Sequence, residues 1–239
     1  MALSHSPQMV RSGLIVYLDS LNPKSYPGTG TTWYDLSGNN NHGTLTGFTG
    51  PSAGSTSGFD TNTKYMMFDR HSGNGNETAN NRVTINNSES LDGCVVTTGM
   101  TISFWLKMTT YECTAMTKWV DSWELFYCSS LVWRTNGTGG NDGNSGLAAS
   151  TNLNKFHLIT ATHSGTERKF YINGDLYYTN SNTVTTQNLT NIVSIGGYST
   201  GTYATIGAIP TYMLYNRVLS AAEVKQNFEA LRGRYDVWV

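Results

Sequence analysis

Charge is scarce in this sequence. Lys, Arg, Asp and Glu make up only 13% of its 239 residues and nearly cancel, to a formal net charge of −1, against an ordinary charged share of about 25%. With no run of Lys or Arg, the chain lacks the electrostatic footprint of a nucleic-acid binder or a polybasic membrane anchor, so neither partner is expected. Long apolar stretches are missing as well. Nothing approaches the roughly 18 residues that cross a bilayer, so no membrane insertion is expected. Residues 1–13 include His5, Pro7, Gln8 and Arg11 and have no apolar core of signal-peptide length; the expectation is a protein made in a cytoplasm. The three cysteines, Cys94, Cys113 and Cys128, are odd in number and have no metal-ligand spacing, which argues for buried free thiols over a disulfide framework. Nucleophile-elbow, zinc-protease and phosphate-loop motifs are also missing. The five histidines, His157 and His163 among them, therefore read as structural or surface residues.

What the chain has is Asn, Ser, Thr and Gly, which suit turns and the solvent faces of strands. Apolar runs of strand length recur between turn signals at 14–18, 64–68, 82–85, 101–108, 124–128, 131–134, 156–162, 169–172, 176–179, 192–195 and 203–215. That pattern predicts an all-β, two-sheet antiparallel sandwich. Asn173-Gly174 between two such runs predicts a type I′ hairpin. Residues 47–63 and 135–150, rich in Gly, Ser, Thr and Asn, predict surface loops. One short C-terminal helix is expected. Ser220 and Glu223 form a capping box, Val224, Phe228 and Leu231 follow at helical spacing, and Gly233 suits the C-terminal cap. The length fits one domain, residues 13–239, behind an N-terminal arm of residues 1–12.

Several stretches carry a family resemblance. Residues 13–19 (GLIVYLD), 25–28 (SYPG) and 32–45 (TWYDLSGNNNHGTL) resemble the opening of laminin-G-like domains of the concanavalin A-like jelly-roll fold. Residues 101–107 (TISFWLK), 170–175 (FYINGD) and 214–220 (LYNRVLS) resemble its central strand, hairpin and strand-to-helix exit, in family order. The approach to Trp33 (SYPGTGTTW) and residues 230–235 (ALRGRY) are similar to versions in bacteriophage virion proteins. Where many relatives carry an acidic pair in the final strand, residues 206–212 (IGAIPTY) have none.

Two constellations are candidate sites. The turn at 35–43 could hold calcium through Asp35 and Asn39, with Asp19 as an outside ligand, because a hard cation takes carboxylate, amide and carbonyl oxygens. The same residues could equally form a hydrogen-bonded turn without an ion. Trp119, Asp121, Trp123 and Glu124 combine aromatic and acidic groups as sugar sites do, with core packing as the competing reading of the Trp residues. Glycoside hydrolases of this fold often carry Glu-x-Asp-x-x-Glu on one strand; the string is absent, and Asp121 and Glu124, three apart, fall on opposite faces of a strand.

The resemblance therefore implies a non-enzymatic bacteriophage virion protein, a capsid decoration or tail-associated component, without a coiled-coil shaft of its own. Its partners would be other virion proteins and host-surface polysaccharide, with the chain homo-oligomeric or arrayed on the particle. A free carbohydrate-binding protein is the alternative, and a glycosidase or lyase the less favoured one.

Overall fold

The structure, a computed structural model, describes residues 7–48, 58–69, 81–94, 97–109, 114–118, 123–127, 130–135, 143–148, 154–181, 183, 190–197 and 205–235. Sixteen strands are placed: β1 (Leu14–Asp19), β2 (Thr32–Trp33), β3 (Gly43–Thr46), β4 (Gly58–Phe59), β5 (Met66–Phe68), β6 (Arg82–Ile85), β7 (Met100–Met108), β8 (Thr114–Lys118), β9 (Trp123–Tyr127), β10 (Ser130–Thr135), β11 (Gly143–Ala148), β12 (His157–His163), β13 (Glu167–Ile172), β14 (Asp175–Ser181), β15 (Val193–Ile195) and β16 (Gly207–Tyr215). A one-turn helix α1 (Glu89–Asp92) follows β6, and α2 (Ala221–Leu231) follows β16. The strands form two eight-stranded antiparallel sheets. The first runs β14-β13-β12-β7-β16-β5-β4 with β1 also on β16; the second runs β11-β10-β9-β8-β15-β6-β3-β2.

Alternation along the strands makes two apolar layers. Ile102, Phe104, Leu106 and Met108 of β7 face the second sheet and pack with Val83, Ile85, Met116, Leu125, Val193 and Ile195, the interdigitated interior of a sandwich. Trp105 points the other way and joins Leu158, Met213 and Tyr215 beneath Val224, Phe228 and Leu231 of α2. All nine residues of β16 are buried, so this strand needs cover on both sides. Pro210 offers no N–H to a ladder, and the register between β16 and β7 shifts between Ala208 and Thr211, where it lies.

The outer cover is tied down at several points. Ser220 and Glu223 make the reciprocal capping box. Asn227, buried on α2, accepts from Val10 N at 2.8 Å and donates to Tyr215 Oη at 3.0 Å. Beyond α2 the chain continues as a 3-10 turn, Arg232–Arg234. Arg234 there makes a two-pronged ion pair with Asp19 at 2.8 and 2.7 Å, and Tyr235 stacks on Trp105 with ring centroids 4.2 Å apart.

Three expectations need correction. Gly233 is no left-handed cap, because the backbone keeps turning right-handed to deliver Arg234 and Tyr235 to the sheet. The expected loop at 135–150 contains β11, hydrogen-bonded to β10, and the one at 47–63 contains β4, paired with β5. Both strands draw their stability from cross-strand pairing, which Gly-rich composition does not signal. The type I′ hairpin agrees with its expectation, since Asn173 and Gly174 both have positive φ, 52° and 85°.

Arg234→Met is expected to cost about 3 kcal/mol in urea unfolding, because Asp19, only 2% exposed, would keep a buried charge without its cation. The Arg217 guanidinium hydrogen-bonded to Glu223, helped against partial burial by Ser220, holds the Glu223 carboxyl down at about 2 from its ordinary 4.5. A depressed carboxyl stabilises fully above its unfolded value and loses that contribution as pH falls toward the folded one. Glu223→Gln should therefore flatten the decline in stability between about pH 4.5 and 2 in an acid titration followed by circular dichroism, relative to the unmodified chain.

Candidate functional site

Of the expected sugar-contact residues, Trp119 and Asp121 lie outside the described residues. Trp123 is placed in the inter-sheet core at 0% exposure. Its ring is enclosed by side chains of both sheets and is not available to stack on a sugar, which corrects the expectation for that residue. Glu124, the next position along β9, faces the opposite side of the second sheet. Cross-strand register places it in a polar row with Thr117 of β8, Ser194 of β15, Thr84 of β6 and Thr44 of β3. Glu124 is 7% exposed and Thr117 and Ser194 are fully buried, while Thr84 and Thr44 at the other end are partly open to solvent.

Of the expected calcium ligands, the two carboxylates, Asp35 and Asp19, have their oxygens engaged by hydrogen-bond donors. Asp35 Oδ1 accepts from Tyr17 N at 2.8 Å and Ser37 N at 2.9 Å. Asp35 Oδ2 accepts from Ser37 Oγ at 2.6 Å and Asn41 N at 3.0 Å. Those four donors match the roughly four lone-pair sites of a carboxylate. Asn39 donates its amide to Leu14 O at 3.2 Å and Ser37 Oγ at 3.0 Å. Asp19 accepts from Arg234, from Tyr17 Oη at 2.8 Å and from Leu21 N at 3.1 Å. No group of three or more His, Cys, Asp or Glu side chains placed to share a metal ion occurs among the described residues. The arrangement is that of an Asx-type turn that pins the chain after β2 to β1.

Three of the five histidines fall among the described residues; His5 and His71 lie outside them. His163 is buried and its Nδ1 accepts from Gly165 N at 2.9 Å. Burial, reinforced by Lys155, pushes the pKa of His157 down. His42 is exposed, accepts from Asp35 N at 3.0 Å and meets Tyr34 edge-on.

An open recess occurs on the outer face of the first sheet, where sequence reading points to nothing. Register across β5, β16 and β7 aligns Met67 with Ala208 and Ala208 with Lys107. Paired residues share a face, so a small side chain sits between two long ones and leaves a hollow of about 170 Å³. The β4–β5 hairpin loop walls one side. It is closed by Asp60 N donating to Tyr65 O at 3.0 Å and Lys64 N donating to Asp60 O at 2.7 Å. Asp60 accepts from Asn62 N and Thr63 Oγ1, both at 2.8 Å. Burial works against this carboxyl's ionisation, but those hydrogen bonds and Lys64 hold its pKa below the ordinary value. Tyr65 meets Phe156 edge-on at 4.9 Å, and Lys107 Nζ lies 5.7 Å from the centre of the Phe156 ring. Asn154 completes the rim, its N–H donating to Met108 O at 2.7 Å. Lys64 and Asn154 both hold positive φ, 63° and 61°, an arrangement that costs energy for a residue with a side chain and tends to mark functional loops.

Asp35→Ala is expected to destabilise the chain by about 3 kcal/mol in chemical denaturation, since it strands backbone N–H groups of Tyr17, Ser37 and Asn41 together. Because the Asp35 oxygens already serve donors, the melting temperature should not move with EDTA or millimolar CaCl2. A rise with CaCl2 that EDTA reverses would establish a native-state calcium site, by mass action.

A family model for the concanavalin A-like lectin/glucanases superfamily, of laminin-G type, matches residues 74–225. No curated protein sequence matches. Solved structures with the same fold include the binding domain of botulinum neurotoxin DC in complex with rat synaptotagmin II (TM-score 0.66, 14% identity, 93% of this chain and 52% of that one). The same neurotoxin domain in complex with SialylT gives a TM-score of 0.64 at 14% identity, over 92% and 52%. A botulinum neurotoxin type C structure concerned with interaction with two ganglioside molecules gives 0.61 at 15%, over 93% and 52%. The chain thus spans about half the length of these solved chains, and at such identities the likeness is one of fold. The family match covers more than half of the sequence and agrees with the two-sheet architecture, so the chain belongs to the laminin-G-like family of the concanavalin A-like lectin/glucanases superfamily.

Proposed function

We propose that the chain is a non-enzymatic contact module of a bacteriophage particle, a capsid decoration or tail-associated component that presents a lectin-like sandwich to host-surface glycans. One observation supports the contact reading over a catalytic one: four acidic side chains of the described frame serve structural partners. Asp19 is paired with Arg234, Asp92 with Lys118 and Glu223 with Arg217, while Asp35 is saturated by its own turn. Acid–base cleavage of a glycosidic bond needs two carboxyls facing a substrate from opposite sides, and carboxyls committed in this way do not supply it.

Family membership and the glycan and receptor complexes of the fold neighbours support a role in recognition. The particle assignment rests on the segments at 25–33 and 230–235, with their likeness to phage virion proteins; synthesis in a host cytoplasm and an arrayed or homo-oligomeric state belong to the same reading. A free carbohydrate-binding protein would share the surface without the particle.

Purified particles probed with an antibody against the chain decide between the two: a fixed, stoichiometric copy number per particle is expected, and glycan binding by a chain missing from particles overturns the virion assignment. Glu124→Gln is expected to leave binding to host polysaccharide within a few-fold of the unmodified protein, because a buried polar contact is worth about 1 kcal/mol. Reducing-end release by the unmodified protein that falls about a thousandfold in this variant would overturn the non-enzymatic reading, since that is the scale of a lost general acid.

A further inference from the structure

We infer that the recess on the outer face of the first sheet binds one neutral pyranose ring of a glycan, an inference that rests on the glycan-contact reading above. Size sets the first limit. An engineered cavity of about 150 Å³ holds a benzene ring, whereas pockets for drug-sized ligands begin near 300 Å³. At about 170 Å³ the recess takes a single six-membered ring with its neighbours left outside.

Chemistry sets the second limit. The floor is apolar, made by Met67 and Ala208, and Tyr65 offers an aromatic edge. The rim carries an ionised acceptor, Asp60, an ammonium donor, Lys107, and the donor-and-acceptor amide of Asn154. A pyranose has the matching character, with C–H faces for an apolar floor and hydroxyls that both give and take hydrogen bonds around its edge. Three of the roughly four acceptor positions on Asp60 are taken by Asn62 N, Thr63 N and Thr63 Oγ1, which leaves one for a ligand hydroxyl. The two charged side chains that line the hollow are of opposite sign, and the Lys64 ammonium lies over the Phe59 ring. A charged ring would satisfy one and oppose the other, so a neutral ring fits best.

The hollow is also preformed. The loop that places Asp60 is closed on itself, and Asn154 is held by Met108 O, so binding need not order either residue. Of the four described non-Gly residues with positive φ, two, Lys64 and Asn154, flank this hollow from separate segments of the chain.

The test uses the full chain and a panel of methyl pyranosides (glucoside, galactoside, mannoside, N-acetylglucosaminide and glucuronide), followed by saturation-transfer and amide-shift NMR. At ordinary ligand efficiency a single ring should bind with a Kd of about 1 mM. At least one neutral pyranoside is expected to bind and to shift amides of residues 60–67, 107–109 and 154. Ala208→Leu fills the hollow and should abolish that binding. Lys107→Met and Asn154→Gly should each weaken it about tenfold with an unchanged melting temperature; glycine keeps the positive φ at 154 and removes only the amide. These two variants keep the test decisive if Ala208→Leu fails to fold. Binding that is indifferent to all three variants overturns the recess while leaving the glycan reading intact. Binding of the glucuronide alone overturns the neutral-ring assignment. If intact host polysaccharide binds but no pyranoside does, the recess is again the part that fails; if no carbohydrate binds in any form, the glycan-contact reading falls with it.

Discussion

Strand β16 is buried along its whole length and on both faces, and most of the molecule can be derived from that requirement. A nine-residue apolar strand in the middle of a sheet is stable only if each face is kept from water. The second sheet supplies the inner cover. The outer cover must come from elsewhere in the chain, and it is assembled from α2, residues 8–10 and Tyr235. These pieces share no strand ladder with β16, so each is fastened by polar contacts: the capping box at Ser220, Asn227 between Val10 and Tyr215, and Arg234 on Asp19. The pieces also end. Past the Tyr65, Phe156 and Tyr235 rings, Ala208 is still buried but lies at the foot of the hollow beside Lys107.

The low charge content acquires a meaning in this frame. With few ionisable groups available, those present are used to hold elements that hydrophobic burial alone would leave loose. Lys118 illustrates the cost. It is fully buried, its pKa is lowered by desolvation against the opposing pull of Asp92, and it donates to Leu91 O at 3.1 Å. A buried cation of this kind adds little net stability, but it does join β8 to α1. Lys118 and Asp92, engaged in this way, serve to hold elements together.

What could be read from the sequence follows the same physics. The central strand at 101–107, the Asn173-Gly174 hairpin and α2 are specified locally, by alternation, turn chemistry and capping, and each is present as expected. Strands β2, β3, β4, β8 and β11 are not specified locally, because short polar or Gly-rich segments become strands only when a neighbour completes their hydrogen bonds. Trp123 shows a different limit: an aromatic beside acids has the composition of a sugar site, but whether its ring faces the core depends on strand parity. Composition does not reveal parity. The recess was illegible for a related reason. Met67, Lys107 and Ala208 lie far apart in the sequence and meet only through register, and lysine is not a residue type that signals a positive φ.

The family-like motif at 32–45 serves the frame. Asp35, Ser37, Asn39 and Asn41 direct their polar groups to the backbone of Leu14, Ile15 and Tyr17, so their residue types are required by the folding of β1 whatever the domain binds. The same holds for ALRGRY, whose Arg234 and Tyr235 complete the outer cover. Such segments identify a family because they hold its architecture together. If the recess binds as proposed, ligand choice resides where the architecture leaves freedom, at positions whose side chains are not committed to the frame. Lys107 and Asn154, on the rim of the hollow, are of that kind, since a change in either side chain leaves the β16 ladder and the α2 cover in place.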